Sequence, residues 1–215
     1  MRTRTLTRFE NRTGKCHHRV PAQGVVISSE RSHVARVDQV QGRSAGRTQA
    51  AVGQDDDLWR VREQAGGMAH RPPIFKHIWS LLVDLADEAV VSKRHLELAL
   101  VAVSLLNKCD YCVSHHAPKL AIQGVSEQGA ERLLDYDDHP ELDAVDKLVV
   151  EYSIAVTSNW NKTRDEVFTR LRQHFSEAQI VELTWRVALC GAFNRFNDVL
   201  QFENELGVPA RDAAE

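Results

Sequence analysis

Between Ser92 and Lys108 the chain is apolar almost all the way round a helix. Leu96, Leu98, Leu100, Val101, Val103, Leu105 and Leu106 share no single stripe, and a helix without a polar face has to be surrounded by other elements. Ser92 is a suitable cap for its start. The segments available to surround it carry the same helical period and no strand-like alternation. Pro72-Pro73 predicts a helix to about Glu88 with Ile74, Ile78, Leu81, Leu82 and Leu85 on one stripe. Another helix is expected from near Cys109 to about Gly124, Ser126 caps a short one, and a further helix is expected from about Glu141 to Thr157. Thr163 with Glu166, and Ser176 with Gln179, have the spacing of capping boxes and open two more, the last reaching about Glu203 ahead of Gly207 and Pro209. The expected fold is all-α, with six or seven helices, no internal repeat and no glycine-rich phosphate loop.

The helical period does not extend to the N-terminus. Residues 1–54 hold a single aromatic side chain, Phe9, and ten basic against three acidic residues. Such a segment buries too little apolar surface to offset its ordering entropy, so a disordered basic extension is expected there. Its arginine-rich, hydroxyl-rich, acid-poor start also fits an organelle transit peptide, and translation from an upstream start would leave it outside the working protein. The arginines are scattered without periodicity or interleaved aromatics, which argues against nucleic-acid binding. A helical domain is expected over 55–205, followed by a short tail over 206–215. With 43% hydrophobic residues and no apolar run near the roughly 18 residues of a membrane span, a membrane protein is excluded.

Of the four cysteines, at 16, 109, 112 and 190, two form a close pair in Cys109-Asp110-Tyr111-Cys112-Val113-Ser114-His115-His116. No secretory signal accompanies them, so a reducing, cytoplasmic compartment is expected, where C-x-x-C points to redox chemistry or metal binding. At about 100° per residue, positions 109, 112 and 116 fall at about 0°, 300° and 340°, which puts both sulfurs and the His116 ring on one face. His115 falls near about 240°, further from that face. A cysteine at a helix start also meets unpaired N–H groups that stabilise a thiolate. A zinc half-site with His116 as third ligand uses the same residues, but no second Cys or His pair follows at finger-like spacing. A thioredoxin-type site needs a βαβ setting, which is absent here, and a pair of inert buried thiols is a further alternative. Glu97 lies among Leu96, Leu98, Ala99 and Leu100, and a carboxylate on so apolar a helix needs a partner.

The stretch from Glu97 through Cys109-Asp110-Tyr111-Cys112 to His116, followed by Gly124 and a capped short helix, resembles the AhpD-like alkylhydroperoxidase group of the carboxymuconolactone decarboxylase family. That group has a glutamate twelve residues before C-x-x-C and a histidine four after its second cysteine, and both gaps are met here. Met68-Ala69-His70-Arg71-Pro72 and Phe193-Asn194-Arg195-Phe196-Asn197 also resemble segments of the peroxidase-related members. The resemblance covers about residues 58–205.

The resemblance implies a thiol-dependent peroxidase that needs no haem, flavin or metal. By it, Cys112 is the peroxidatic cysteine, Cys109 the resolving cysteine, and Glu97 and His116 a proton relay. Tyr111 and His115 are supporting candidates; Tyr111 stands where the best-known members have histidine, though its hydroxyl is able to donate a hydrogen bond. The implied partners are a hydroperoxide substrate, an external dithiol reductant and further copies of the chain in a trimer or hexamer. A non-redox lactone decarboxylase of the wider family, or a zinc-binding or redox-sensing helical module, is the alternative reading. Pro118 removes a hydrogen bond to the Ser114 carbonyl, so a kink is expected just after the site.

Overall fold

The computed structural model describes residues 61–204; the expectations for residues 1–54 and for the tail over 206–215 lie outside them. Eight α-helices are found among the described residues: α1 (Arg62–Ala69), α2 (Pro72–Glu88), α3 (Lys93–Leu106), α4 (Asp110–Ile122), α5 (Glu127–Glu131), α6 (Ala144–Asn159), α7 (Asp165–Leu171) and α8 (Glu177–Leu200). Short 3-10 turns lie at Tyr136–Asp138 and Trp160–Lys162. The all-α expectation holds, with one helix more than foreseen.

Helix α3 is the buried centre. All eight side chains from Glu97 to Ser104 are buried, and the helix packs against α4, α6 and α8. Leu98, Val101, Val103, Leu120, Val149, Val150, Leu183 and Val187 form the body of the core around it. Burying an apolar side chain of this size contributes about 1.5–3 kcal/mol. Ser92 caps the helix by accepting the His95 N–H. The chain leaves α3 earlier than predicted, because Lys108 adopts a left-handed conformation (φ 57°) and the Cys109 N–H returns to the Ser104 carbonyl. One cation ties three helices together: Arg94 donates to the Asp146 carboxylate at 2.7 Å and to the backbone carbonyls of Gln123 and Glu141.

Three boundaries depart from expectation for identifiable reasons. The helix expected from Glu141 starts at Ala144, because the Asp143 carboxylate accepts the Val145 and Asp146 N–H groups and closes its first turn. The Thr163–Glu166 pair does not act as a capping box; Arg164 sits at the N-cap of α7 and no side chain caps it. The last helix stops at Leu200, where Gln201 turns left-handed (φ 55°). The Ser176–Gln179 box, by contrast, forms in both directions. Helix α4 continues through Pro118 to Ile122, and Gly124 (φ 88°) turns the chain after it.

Helix α2 does not bury its expected stripe. Phe75 and Trp79 are its buried residues, while Ile74 is 47% exposed. Phe75 and Trp79 stack with ring centroids 5.2 Å apart and pack with Met68 of α1 and Phe193 and Phe196 of α8. The stripe residues Leu82 and Leu85 face a cavity instead of the packed core. Helix α1 has no sequence signal of its own, since Arg-Glu-Gln-Ala-Gly-Gly-Met-Ala contains two helix-weakening glycines. Gly67 is there for space: a Cβ on it would stand 2.2 Å from Phe202 Cζ. Gly67→Ala is therefore expected to destabilise the fold by about 1–3 kcal/mol, the usual cost of overpacking, despite improving helix propensity. Urea unfolding checks the sign. No helix among the described residues is long and apolar enough to cross a membrane.

Candidate active site

Helices α3 and α4 present the chemistry to one another. Cys109 occupies the N-cap of α4 in an extended conformation, and its carbonyl accepts the Val113 N–H. Cys112 follows in the first turn and His116 one turn later. Cys109 is fully buried and Cys112 nearly so, packed with Tyr111 and Phe202. Cys109, Cys112 and Cys190 are free thiols. Hydrogen bonding to Cys112 and then burial raise the Cys109 thiol above its ordinary range.

Glu97 on α3 meets His116 on α4, with Glu97 Oε2 2.7 Å from His116 Nδ1. The pairing expected from sequence is formed, and it supplies the partner that a carboxylate on an apolar helix requires. When Nδ1 donates to Glu97, Nε2 is the basic nitrogen, the tautomer a general base needs.

The supporting candidates do other work. The Tyr111 hydroxyl accepts the Gln64 N–H at 3.3 Å, tying α1 to the site. Its ring stacks on His115 with centroids 4.4 Å apart. His115 is buried and its Nδ1 lies 2.7 Å from the Tyr111 carbonyl, so the two make a stacked wall beside the Glu97–His116 pair. Cys190 is a third thiol at the same cavity, beside Ser104 Oγ at 3.4 Å. Burial pushes it up to about 12, which leaves it a protonated packing residue at neutral pH.

Three polar residues of α8 were given no role by the sequence reading. Asn197 Nδ2 donates to Cys112 Sγ at 3.3 Å, and its own Oδ1 is buried without a hydrogen-bond partner. A donor aimed at sulfur stabilises negative charge there, and a hydrogen bond to a charged group contributes about 1.5–3 kcal/mol. Asn197→Ala is accordingly expected to lower the rate of Cys112 alkylation about tenfold or more with the circular dichroism spectrum unchanged. Glu182 and Arg186 are buried one turn apart, with Arg186 Nε 3.4 Å from Glu182 Oε1. Charged residues at i and i+4 amid Ile180, Leu183, Val187 and Leu189 were a legible signal, because a charge on an apolar face needs a reason.

These groups surround a cavity of about 320 Å³ between α2, α3, α4 and α8. Its floor holds Cys112, Glu97 and His116, and its apolar wall includes Trp79, Leu82 and Leu96. Among the described residues no cluster of three or more His, Cys, Asp or Glu side chains is arranged to hold a metal ion.

Comparison with known proteins places this arrangement. Residues 72–137, from the start of α2 past α5, match the Carboxymuconolactone decarboxylase family, a span that contains Glu97, both paired cysteines and His116. The uncharacterized protein YdfG of Bacillus subtilis is 25% identical over 111 residues, which are 51% of this chain and 76% of that one. An alkylhydroperoxidase AhpD core protein of Ralstonia eutropha, described as peroxidase-related and uncharacterized, shares the fold at TM-score 0.64 and 19% identity, covering 80% of this chain and 92% of its own. The debrominase Bmp8 shares it at TM-score 0.56 and 18% identity, over 73% and 88% of the two chains. The family match lies across the glutamate, the paired cysteines and the histidine, and the chain shares its all-helical fold with an AhpD core protein and a debrominase.

Proposed function

We propose that the chain is a thiol-dependent peroxidase that reduces hydroperoxides to alcohols at Cys112. The observation that carries this reading is the 2.7 Å Glu97–His116 contact set one helical turn beyond Cys112, on a cavity that admits a substrate to both. His116 Nε2 takes the Cys112 proton while Glu97 orients the ring and balances the imidazolium. The Cys112 thiolate attacks the outer oxygen of the hydroperoxide, the O–O bond breaks, and the departing alkoxide takes the proton back to leave as alcohol. Cys112 is then a sulfenic acid. Cys109 attacks that sulfur, water leaves, and the Cys109–Cys112 disulfide forms. An external dithiol returns both thiols to the reduced state.

The unequal pair supports these roles. Cys109 is fully buried and its thiol is raised by hydrogen bonding to Cys112, which suits it to wait until a sulfenate appears next to it. Cys112 lines the cavity and carries the Asn197 donor. A lactone decarboxylase makes no use of two adjacent free thiols. A zinc module requires further ligands around them. No haem, flavin or metal takes part in the scheme, and it calls for a reducing, cytoplasmic setting and an oligomeric assembly. The test is peroxide-dependent NADPH consumption coupled through several candidate dithiol donors. Sustained turnover with at least one donor is the expected result. Failure of peroxide to convert the two thiols to a disulfide, even at one equivalent, overturns the proposal.

A further inference from the structure

Helix α8 puts a second pair of charges on the cavity wall. Arg186 and Glu182 both line the cavity, and their side chains are only 9% and 6% exposed. A guanidinium carries five N–H donors in a planar fork. Among the described residues Arg186 uses one of them, Nε to Glu182 Oε1 at 3.4 Å. Nor is the pair closed on the other side, since Glu182 Oε2 is buried without a hydrogen-bond partner. Two charges taken out of water for one long contact do not serve stability, because the desolvation penalty of a buried pair is offset only by good geometry and further hydrogen bonds. The remaining donors of Arg186 await an acceptor that enters the cavity.

The charges and the lining together name the ligand. Lys93, Lys119 and Arg186 line the cavity against two carboxylates, and one of those, Glu97, is already engaged by His116. The excess is cationic. With Nε held by Glu182, the outer edge of the fork, Nη1 and Nη2, is the one that takes both oxygens of a carboxylate in parallel hydrogen bonds. A carboxylate also carries the single charge that one guanidinium balances. Asn197, which donates to Cys112, stands eleven residues after Arg186, about 16 Å along the helix at 1.5 Å per residue. Over that length α8 gives Leu189 and Phe193 to the cavity, and Leu96 and Leu100 of α3 line the same space. We propose that Arg186 is a carboxylate anchor, so that the substrate is an aliphatic hydroperoxide with a carboxylate at its far end, an assignment that rests on the peroxidase reading of Cys112.

Glu182 acts through Arg186 as a positioning residue: by accepting from Nε it fixes the plane of the fork. An ammonium ligand for Glu182 fits less well, because the unpartnered Glu182 oxygen is sealed from solvent whereas the Arg186 amino groups are not. The cavity of about 320 Å³ lies at the small end of the range for small-molecule sites, about 300–1,000 Å³, which suits a single acyl chain.

Calorimetric titration of the full reduced chain reads the anchor without any turnover. Octanoate is expected to bind about tenfold or more tighter than 1-octanol or octylammonium, the factor that hydrogen bonds to a charged group supply. Arg186→Gln alone leaves Glu182 buried without its partner and costs stability. The double variant Glu182→Gln/Arg186→Gln removes both charges together, and Arg186→Lys keeps the charge but loses the fork. The double variant is expected to bind octanoate no tighter than 1-octanol, and Arg186→Lys to fall between it and wild type, with circular dichroism confirming each fold. Turnover is then compared for 8-hydroperoxyoctanoate and 12-hydroperoxydodecanoate, each against its methyl ester. Wild type is expected to prefer at least one acid by about tenfold or more in kcat/KM, and the double variant to lose that preference. Octanoate bound no tighter than 1-octanol, or acids and esters turned over alike, overturns the anchor and leaves the peroxidase reading in place. Octanoate binding that depends on Arg186, with no reaction of either hydroperoxide at Cys112, overturns the hydroperoxide and not the carboxylate.

Discussion

Cys112→Ser is expected to abolish hydroperoxide turnover, because a serine hydroxyl is not ionised at neutral pH and cannot act as the thiolate does. Cys109→Ser is expected to behave differently. It retains the attacking sulfur, consumes one equivalent of peroxide per chain in a single burst, and then stalls with Cys112 trapped as sulfenic acid, open to further oxidation. Mass spectrometry of the two variants after a small excess of peroxide separates the roles: no oxygen added at position 112 in the first, one or more in the second. The physical ground for this division is access: Cys112 lines the cavity, whereas Cys109 is buried behind it. If Cys109→Ser turns over continuously, or if Cys112→Ser retains the burst, the roles of the two sulfurs are wrong. Neither change should unfold the chain, since serine differs from cysteine by one atom, although both sites are buried and about 1 kcal/mol of transfer free energy is at stake.

His116→Gln and Glu97→Gln are expected to slow turnover by about 10²–10⁴-fold, the range for loss of a positioned acid–base group. The two need not be equal. Removing His116 removes the base itself, whereas Glu97→Gln keeps a carbonyl oxygen able to accept the Nδ1 proton and loses only the charge that balances the imidazolium. Glu97→Leu removes both and leaves His116 Nδ1 without its 2.7 Å partner, so it is expected to be slower than Glu97→Gln. Graded loss in kcat with thermal midpoints near wild type is the signature of a relay. A stability loss with kcat within about threefold of wild type would assign the pair a structural role only.

Much of the site was readable because helical geometry is local. Cys109, Cys112 and His116 lie within eight residues, and a period of 3.6 puts them on one face whatever the rest of the chain does. Glu97 was readable for a different reason. A carboxylate embedded in Leu96, Leu98, Ala99 and Leu100 costs too much to bury alone, so a partner was required even before one was known. The contributions of Asn197, Glu182 and Arg186 were not readable as roles. They reach the site across sequence separations such as the 85 residues between Cys112 and Asn197, and no local period encodes which face of α8 turns towards α4. That Tyr111 and His115 stack on each other rather than joining the Glu97–His116 pair is a matter of side-chain packing.

The sequence by itself determined the helical class, the burial of α3, the caps at Ser92, Ser126 and Ser176, and the alignment of both sulfurs with His116, since each follows from neighbours a few residues apart. Only the tertiary structure decided that α1 exists, that α2 turns its leucine stripe to a cavity, and that Cys112 finds a donor on α8. The reason in each case is contact between distant segments. Gly66 and Gly67 weaken α1 as an isolated helix, and it is the Phe202 ring, more than a hundred residues later in the chain, that occupies the space where a side chain at position 67 would stand.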